Sequence, residues 1–80
     1  MILAAVAKRT LSTLAVGERA QIVDVEGGGL ILLRLLEMGF VPGTPVKLVK
    51  VAPLGDPLEL QLRGYHILLR RSEAARIQVR

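Results

Sequence analysis

The residues of this chain that could perform chemistry are three consecutive glycines, a few acidic side chains and one histidine. The glycines, at positions 27–29, precede a leucine-rich segment, and the backbone amides at the start of a helix attract phosphate groups. A nucleotide-binding loop continues with Lys and then Ser or Thr, whereas leucines follow here. We therefore interpret the glycines as a joint between two elements and do not expect this chain to bind GTP.

Metal binding and catalysis have little support in the residue types. His66 is the only histidine and cysteine is absent, whereas iron(II) sites usually combine several histidines and carboxylates. Asp56, Glu59 and His66 could meet across a hairpin as a weak, exposed metal site, although solvated strand residues are the more ordinary interpretation. No nucleophile motif is present. We predict no high-affinity iron site, no bound cofactor and no enzymatic activity.

The charge is concentrated in the second half of the chain. Residues 1–40 hold four basic and four acidic side chains, and residues 41–80 hold seven basic and three acidic, so the net charge of +4 arises in the second half. No apolar run reaches the roughly 18 residues of a membrane-spanning helix. The apolar residues 1–7 precede Lys8 and Arg9, the reverse of the order in a secretory signal. The absence of cysteine makes a reducing compartment the default expectation.

Basic residues of the second half leave nucleic-acid binding open as an alternative. They are Lys47, Lys50, Arg63, Arg70, Arg71, Arg76 and Arg80. Such residues could form a basic strip on a small barrel, but proteins that bind single strands stack bases on exposed aromatic rings, and only Phe40 and Tyr65 are available. Solvation, or complementarity to an acidic partner, is the favoured interpretation.

The elements that must position these residues are mainly short strands. Five strands are predicted, over residues 19–26, 45–52, 58–63, 65–70 and 76–79. Ile22 and Val25 both suit the core although they are three residues apart, which predicts a bulge in the first strand. Gly64 marks a tight reversal. Thr10 begins a short helix that ends near Gly17, and Ser72 caps a single turn over residues 73–75. A small closed barrel would remove the exposed strand edges.

A helix is predicted over the leucine-rich segment, with two apolar faces. At 100° per residue, Leu35, Ile31, Leu32 and Met38 face the core, with Leu36 on the flank. Leu30, Leu33 and Glu37 lie on the opposite side, with Arg34 on the other flank and within reach of an ion pair with Glu37. Gly39 suits the left-handed position after the helix, and Pro42 prevents the helix from resuming.

The outer leucines are explained best by a contact. Leu30 and Leu33 lie beside further apolar residues, and exposed apolar clusters often mark interfaces. Three occupants remain open: another protein, a second copy of this chain, or the apolar N-terminal extension, residues 1–9.

Residues 10–79, compared in sequence order, resemble the FeoA family of ferrous iron transport proteins. The resemblance rests on Gly17, Arg34 with Leu35, Met38 with Gly39, Pro42 with Gly43, Asp56 with Pro57, Gly64, Leu69 with Arg70, and Glu73 with Ala74. It implies a mainly β fold for residues 10–80, a small SH3-like β-barrel with a short N-terminal helix and one helix after the first strand. The same domain type resembles the C-terminal barrel of iron-dependent repressors, so a self-associating barrel of that type is an alternative.

The resemblance also implies a role and a partner. Members of the family are cytoplasmic accessory proteins of FeoB, a ferrous iron permease with a cytoplasmic GTP-binding domain, so the resemblance implies a cytoplasmic location. Family members often carry polar residues before the Arg-Leu pair, whereas this chain has four apolar residues there. We therefore predict that FeoB is bound through Leu30, Leu33, Arg34 and Glu37, with apolar area supplying affinity and the charges fixing orientation.

Overall fold

The computed structural model describes residues 9–80. In chain order the elements are a 3-10 helix Leu11–Thr13, β1 Arg19–Val25, α1 Gly29–Glu37, β2 Pro45–Val51, β3 Leu58–Leu62, β4 Tyr65–Leu69, α2 Arg71–Ala74 and β5 Ile77–Val79. The predicted mainly β fold, with a helix after the first strand, is confirmed. The predicted extension covers residues 1–9, of which 1–8 lie outside the described residues. Over residues 9–80 no helix has the length and apolar character needed to cross a bilayer.

The strands form one antiparallel sheet in the order β4-β3-β2-β1-β5. Because β4 and β5 do not pair, the barrel is not closed by hydrogen bonds, contrary to the predicted closure. One free edge is covered in another way. The backbone N–H of Val79 in β5 donates to the carbonyl of Arg9 at 2.9 Å, and Thr10 pairs with Gln78. The chain before the 3-10 helix therefore covers the outer edge of β5.

Alternating residues of the strands build the core. Leu58, Leu60 and Leu62 of β3 are fully buried, as their period of two predicts. The register shifts between Ile22 and Asp24 of β1, and both Ile22 and Val25 are buried. The predicted bulge is therefore confirmed, because the extra residue brings two positions three apart to the same side of the sheet.

Two glycine positions explain how neighbouring elements meet. Leu62 pairs with Tyr65, so Arg63 and Gly64, with φ values of 45° and 90°, form a two-residue turn of the kind that suits the twist of a hairpin. Gly39 follows α1 with φ 108°, as predicted. A Cβ atom there would lie 2.4 Å from the hydroxyl oxygen of Tyr65, and that hydroxyl donates to the carbonyl of Met38 at 2.8 Å. The missing side chain therefore permits a link between α1 and β4.

Two details of the predicted helices are wrong. The first helix ends at Thr13 rather than near Gly17, because the chain is already extended at Leu14 (φ −70°, ψ 150°). Ser72 does not cap the second helix, since α2 begins one residue before it at Arg71. Instead, the carboxylate of Glu73 accepts a hydrogen bond from the backbone N–H of Arg70 at 3.1 Å, as an acidic residue in the first turn can.

Candidate interaction surface on the first helix

The inner face of α1 fixes the orientation of the helix. Leu35 is buried, and Leu32, Leu36 and Met38 are partly buried against the core. The helix ends with Gly39 N–H donating to the Leu36 carbonyl at 3.0 Å. The prediction that Ile31 faces the core is wrong, because its side chain is 36% exposed. Ile31 lies in the first turn, next to the exposed glycines 27–29, which have no side chains to cover it.

The outer face of α1 carries all four of the predicted contact residues. Leu30, Leu33, Arg34 and Glu37 follow the spacing i, i+3, i+4 and i+7, which aligns side chains along one stripe of a helix. Leu30 is 77% exposed and Leu33 is 55% exposed, and Arg34 and Glu37 are exposed too. We call these four residues the α1 stripe. It presents two adjacent leucines and two opposite charges to solvent.

Arg34 connects the α1 stripe to the second helix. Its Nη2 atom lies 3.7 Å from the Oε2 atom of Glu73 in α2, so the alternative that Arg34 pairs with Glu37 does not hold. The order Arg then Glu along a helix is the less favourable one for a local pair. Glu73 is also better placed, since its carboxylate is held by the Arg70 N–H and its side chain is 16% exposed. The guanidinium is thereby positioned at the boundary between α1 and α2.

Arg34 also lines an open groove of about 610 Å³. Its lining residues are Arg34, Asp56, Pro57, Leu68, Arg70 and Glu73. The lining has two basic groups, two acidic groups and two apolar side chains, a mixture typical of the polar rim of a protein interface. The α1 stripe therefore borders a concave surface and is not an isolated helix face.

Two exposed leucines outside α1 were not predicted from the sequence. Leu54 is 96% exposed at the tip of the loop between β2 and β3, and Leu68 on β4 is 65% exposed. The loop is held in place by Arg71, whose Nε donates to the Gly55 carbonyl at 2.8 Å and whose backbone N–H donates to Asp56 at 3.0 Å. Leu68 could have been found, because strand alternation places it opposite Glu59 on the solvent face.

The three residues considered for a metal site do not come together. Nδ1 of His66 lies 2.6 Å from Oε2 of Glu59, but Asp56 accepts instead from the Arg71 N–H. In the part of the chain that the structure describes, no three His, Cys, Asp or Glu side chains are placed to hold a metal ion. Of the three side chains that could have met, only His66 and Glu59 form a pair.

The basic residues do not form a single strip either. The Nη1 atom of Arg71 donates to the Ser12 carbonyl at 2.6 Å, so this side chain has a structural role within the domain. The guanidinium of Arg76 packs over Gly27. Lys47 and Arg63, in contrast, line an open cleft together with Arg19, a residue of the first half that sequence reasoning did not include.

The fold and its exposed surfaces define a small SH3-like domain, with five antiparallel strands and a helix between the first two. The particular family follows from comparison with known proteins. The FeoA domain family matches residues 9–80, and the chain belongs to this family, which is linked to ferrous iron transport.

Three relatives show how far the similarity extends. A fusion of Fe(2+) transport protein A with the Fe(2+) transporter FeoB from Porphyromonas gingivalis is 48% identical over 69 residues, which cover 86% of this chain and 8% of the fusion. Iron(II) transport protein A of Clostridium thermocellum is 42% identical with a TM-score of 0.85, over 89% of this chain and 44% of that chain. FeoA of Stenotrophomonas maltophilia, in complex with zinc, is 37% identical with a TM-score of 0.79, over 90% and 89%. The chain thus spans only a small part of the fusion protein.

Proposed function

We propose that this chain is a cytoplasmic, non-enzymatic accessory protein of ferrous iron uptake that acts by binding the permease FeoB. The observation that carries this function is the fusion relative, in which a domain similar to this chain is joined to FeoB in one polypeptide. Covalent fusion keeps two domains at a high effective concentration. A separate chain of the same family would need a binding surface to achieve the same association.

The α1 stripe is the surface that we propose for this contact. Burying a whole leucine side chain stabilises by about 2 kcal/mol. With Leu30 77% and Leu33 55% exposed, covering both would contribute about 2.5 kcal/mol. Arg34 and Glu37 at the rim would orient the partner, and the ion pair with Glu73 holds the guanidinium before binding. A surface with leucines at its centre and charges at its edge suits a protein partner.

The experiment is a binding titration between this chain and the cytoplasmic GTP-binding domain of the FeoB from the same organism. Wild type is compared with Leu33→Glu and with Leu54→Glu, a matched control that places the same charge on an exposed leucine outside the α1 stripe, in the loop between β2 and β3. We expect Leu33→Glu to weaken binding at least about tenfold and Leu54→Glu to change it less than about twofold. Circular dichroism and thermal unfolding check that both variants are folded.

The solution mass of each protein distinguishes FeoB binding from self-association through the α1 stripe. If wild type binds FeoB and both variants bind equally well, the α1 stripe is not the contact. If wild type does not bind FeoB but forms an oligomer that Leu33→Glu dissociates, the leucines serve self-association. Loss of FeoB binding in Leu54→Glu alone would move the contact to the loop that carries Leu54.

A further inference from the structure

A row of long polar side chains crosses four strands on the outer face of the sheet. The pairing register places Arg19 of β1 opposite Lys47 of β2, Lys47 opposite Gln61 of β3, and Gln61 opposite His66 of β4. Side chains on directly paired residues point to the same face. Neighbouring strands are about 4.8 Å apart, so the row is about 14 Å long. We call it the cationic row.

A third positive charge lies at the end of β3 beside this row. Arg63 occupies the two-residue turn after β3 with φ 45° and lines the same cleft of about 220 Å³ as Arg19 and Lys47. The cleft is completed by Pro45, Val46, Gln61 and Gly64. Three positive groups and one amide therefore surround one concavity, which follows from the register of three strands.

The three charges are not neutralised within the domain. Among residues 9–80, no acidic side chain forms an ion pair with Arg19, Lys47 or Arg63. The carboxylates nearest to them in sequence have other partners. Glu18 pairs with Arg9 at 2.5 Å, Glu59 pairs with His66 at 2.6 Å, and Asp56 accepts from the Arg71 N–H. Three like charges that line one cleft repel one another, so an anion there is favoured electrostatically.

We propose that the cationic row and Arg63 form a docking site for an acidic polypeptide segment of a partner protein. An extended chain rises about 3.3 Å per residue, so about five residues span the row. Their carboxylates would meet two guanidinium groups, which bind carboxylates in a bidentate manner, and one ammonium group. The site is separate from the α1 stripe and does not depend on the identity of the partner of α1.

The surroundings of the row favour a protein segment over a nucleic acid. Binding of single strands depends on aromatic rings on which bases stack. None of the four residues of the cationic row is Phe, Tyr or Trp. Tyr65 pairs with the buried Leu62, so it belongs to the other face of β4, and its hydroxyl donates to the Met38 carbonyl. Carboxylates need only charge and hydrogen-bond donors, which Arg19, Lys47, Gln61 and Arg63 supply.

The test is a fluorescence anisotropy titration at low salt with two labelled probes, a ten-residue glutamate peptide and a ten-nucleotide single-stranded DNA. Lys47→Glu and Arg63→Gln are the variants. Lys50→Glu is the matched control, because Lys50 lies on the same strand but opposite Glu59, outside the row. We expect the glutamate peptide to bind wild type, and Lys47→Glu and Arg63→Gln each to weaken that binding about fivefold. The control should change it less than about twofold, and DNA should bind more weakly than the peptide.

Three results would overturn this site. Absence of peptide binding at low salt would show that the row attracts no acidic segment. If Lys50→Glu and Lys47→Glu weaken peptide binding equally, the peptide responds to the net charge of the protein and has no defined binding site. Tighter binding of DNA than of the peptide, lost in Lys47→Glu and Arg63→Gln, would identify the site as a nucleic-acid surface. Unfolding midpoints within error of wild type confirm that each variant is folded, and Arg63→Gln provides a variant without a reversed charge.

Discussion

Replacing Gly39 with alanine tests how the end of α1 is held against the sheet. Gly39 has φ 108°, and a side chain in the left-handed region costs about 1–2 kcal/mol. The new Cβ atom would also meet the Tyr65 hydroxyl oxygen at 2.4 Å, so the ring must move and its hydrogen bond to the Met38 carbonyl must break. That bond contributes about 1 kcal/mol. We expect Gly39→Ala to lower the free energy of unfolding by about 2.5 kcal/mol.

A double-mutant cycle with Tyr65→Phe separates the two costs. Tyr65→Phe removes the same hydrogen bond and should cost about 1 kcal/mol. In the double variant the clash is absent, because the next contacts of the Cβ atom are ordinary ones, at 3.5 Å from Leu62 and 3.7 Å from the Tyr65 ring. The double variant should therefore cost about 2.5 kcal/mol, not the additive value of about 3.5 kcal/mol.

Urea denaturation of the four proteins measures the coupling. Gly43→Ala is the control, because Gly43 has φ 92° but no atom within 4 Å of its Cβ position. It should carry the backbone cost alone and add to Tyr65→Phe without coupling. If Gly39→Ala and Tyr65→Phe are also additive within about 0.3 kcal/mol, the hydroxyl does not lock the end of α1, and this reasoning is refuted.

Two further predictions concern polar contacts. Hydrogen bonding from the Ala15 backbone N–H and then from Arg9 lowers the pKa of Glu18 below its ordinary value of 4.5. The stabilisation is therefore present above that value and lost as the pH falls through the lowered pKa, so Glu18→Gln should have a lower urea midpoint than wild type at neutral pH. A gap that does not shrink in acid would contradict this. Arg71→Lys loses the planar fork that donates to Gly55 and Ser12 and should cost about 2 kcal/mol. Arg70→Lys is the control, because Arg70 is exposed, and it should lower the free energy of unfolding by less than about 0.5 kcal/mol. If urea denaturation gives equal losses for the two variants, the structural role of Arg71 is refuted.

The parts of the fold that were predictable depend on neighbours in the sequence. A period of two identified β3, and the three-residue spacing of Ile22 and Val25 identified the bulge. The angle of 100° per residue placed Leu30 and Leu33 on the exposed side of α1. Gly39 was assigned correctly because only the local backbone decides whether a left-handed residue is needed.

The features that could not be predicted join residues far apart in the chain. Arg34 pairs with Glu73 of α2, although Glu37 lies only three residues away. The free edge of β5 is covered by Arg9 and Thr10, so this edge is protected although the barrel does not close. The loop that carries the exposed Leu54 is anchored by Arg71, which lies 16 residues beyond Gly55. In each case several partners satisfy the same chemistry, and only the packing of the whole domain selects one.

By itself, the sequence determined the kinds of element, the two faces of α1 and the resemblance to FeoA, because periodicity and local backbone preference act over a few residues. The tertiary structure decided which charges meet. It gave Arg34 a partner in α2 and used the side chain of Arg71 to hold a loop. It also set Arg19, Lys47 and Arg63 around one cleft without an acidic partner among the described residues. The physical reason is that strand register, which is set by burial of the whole sheet, determines which distant side chains become neighbours.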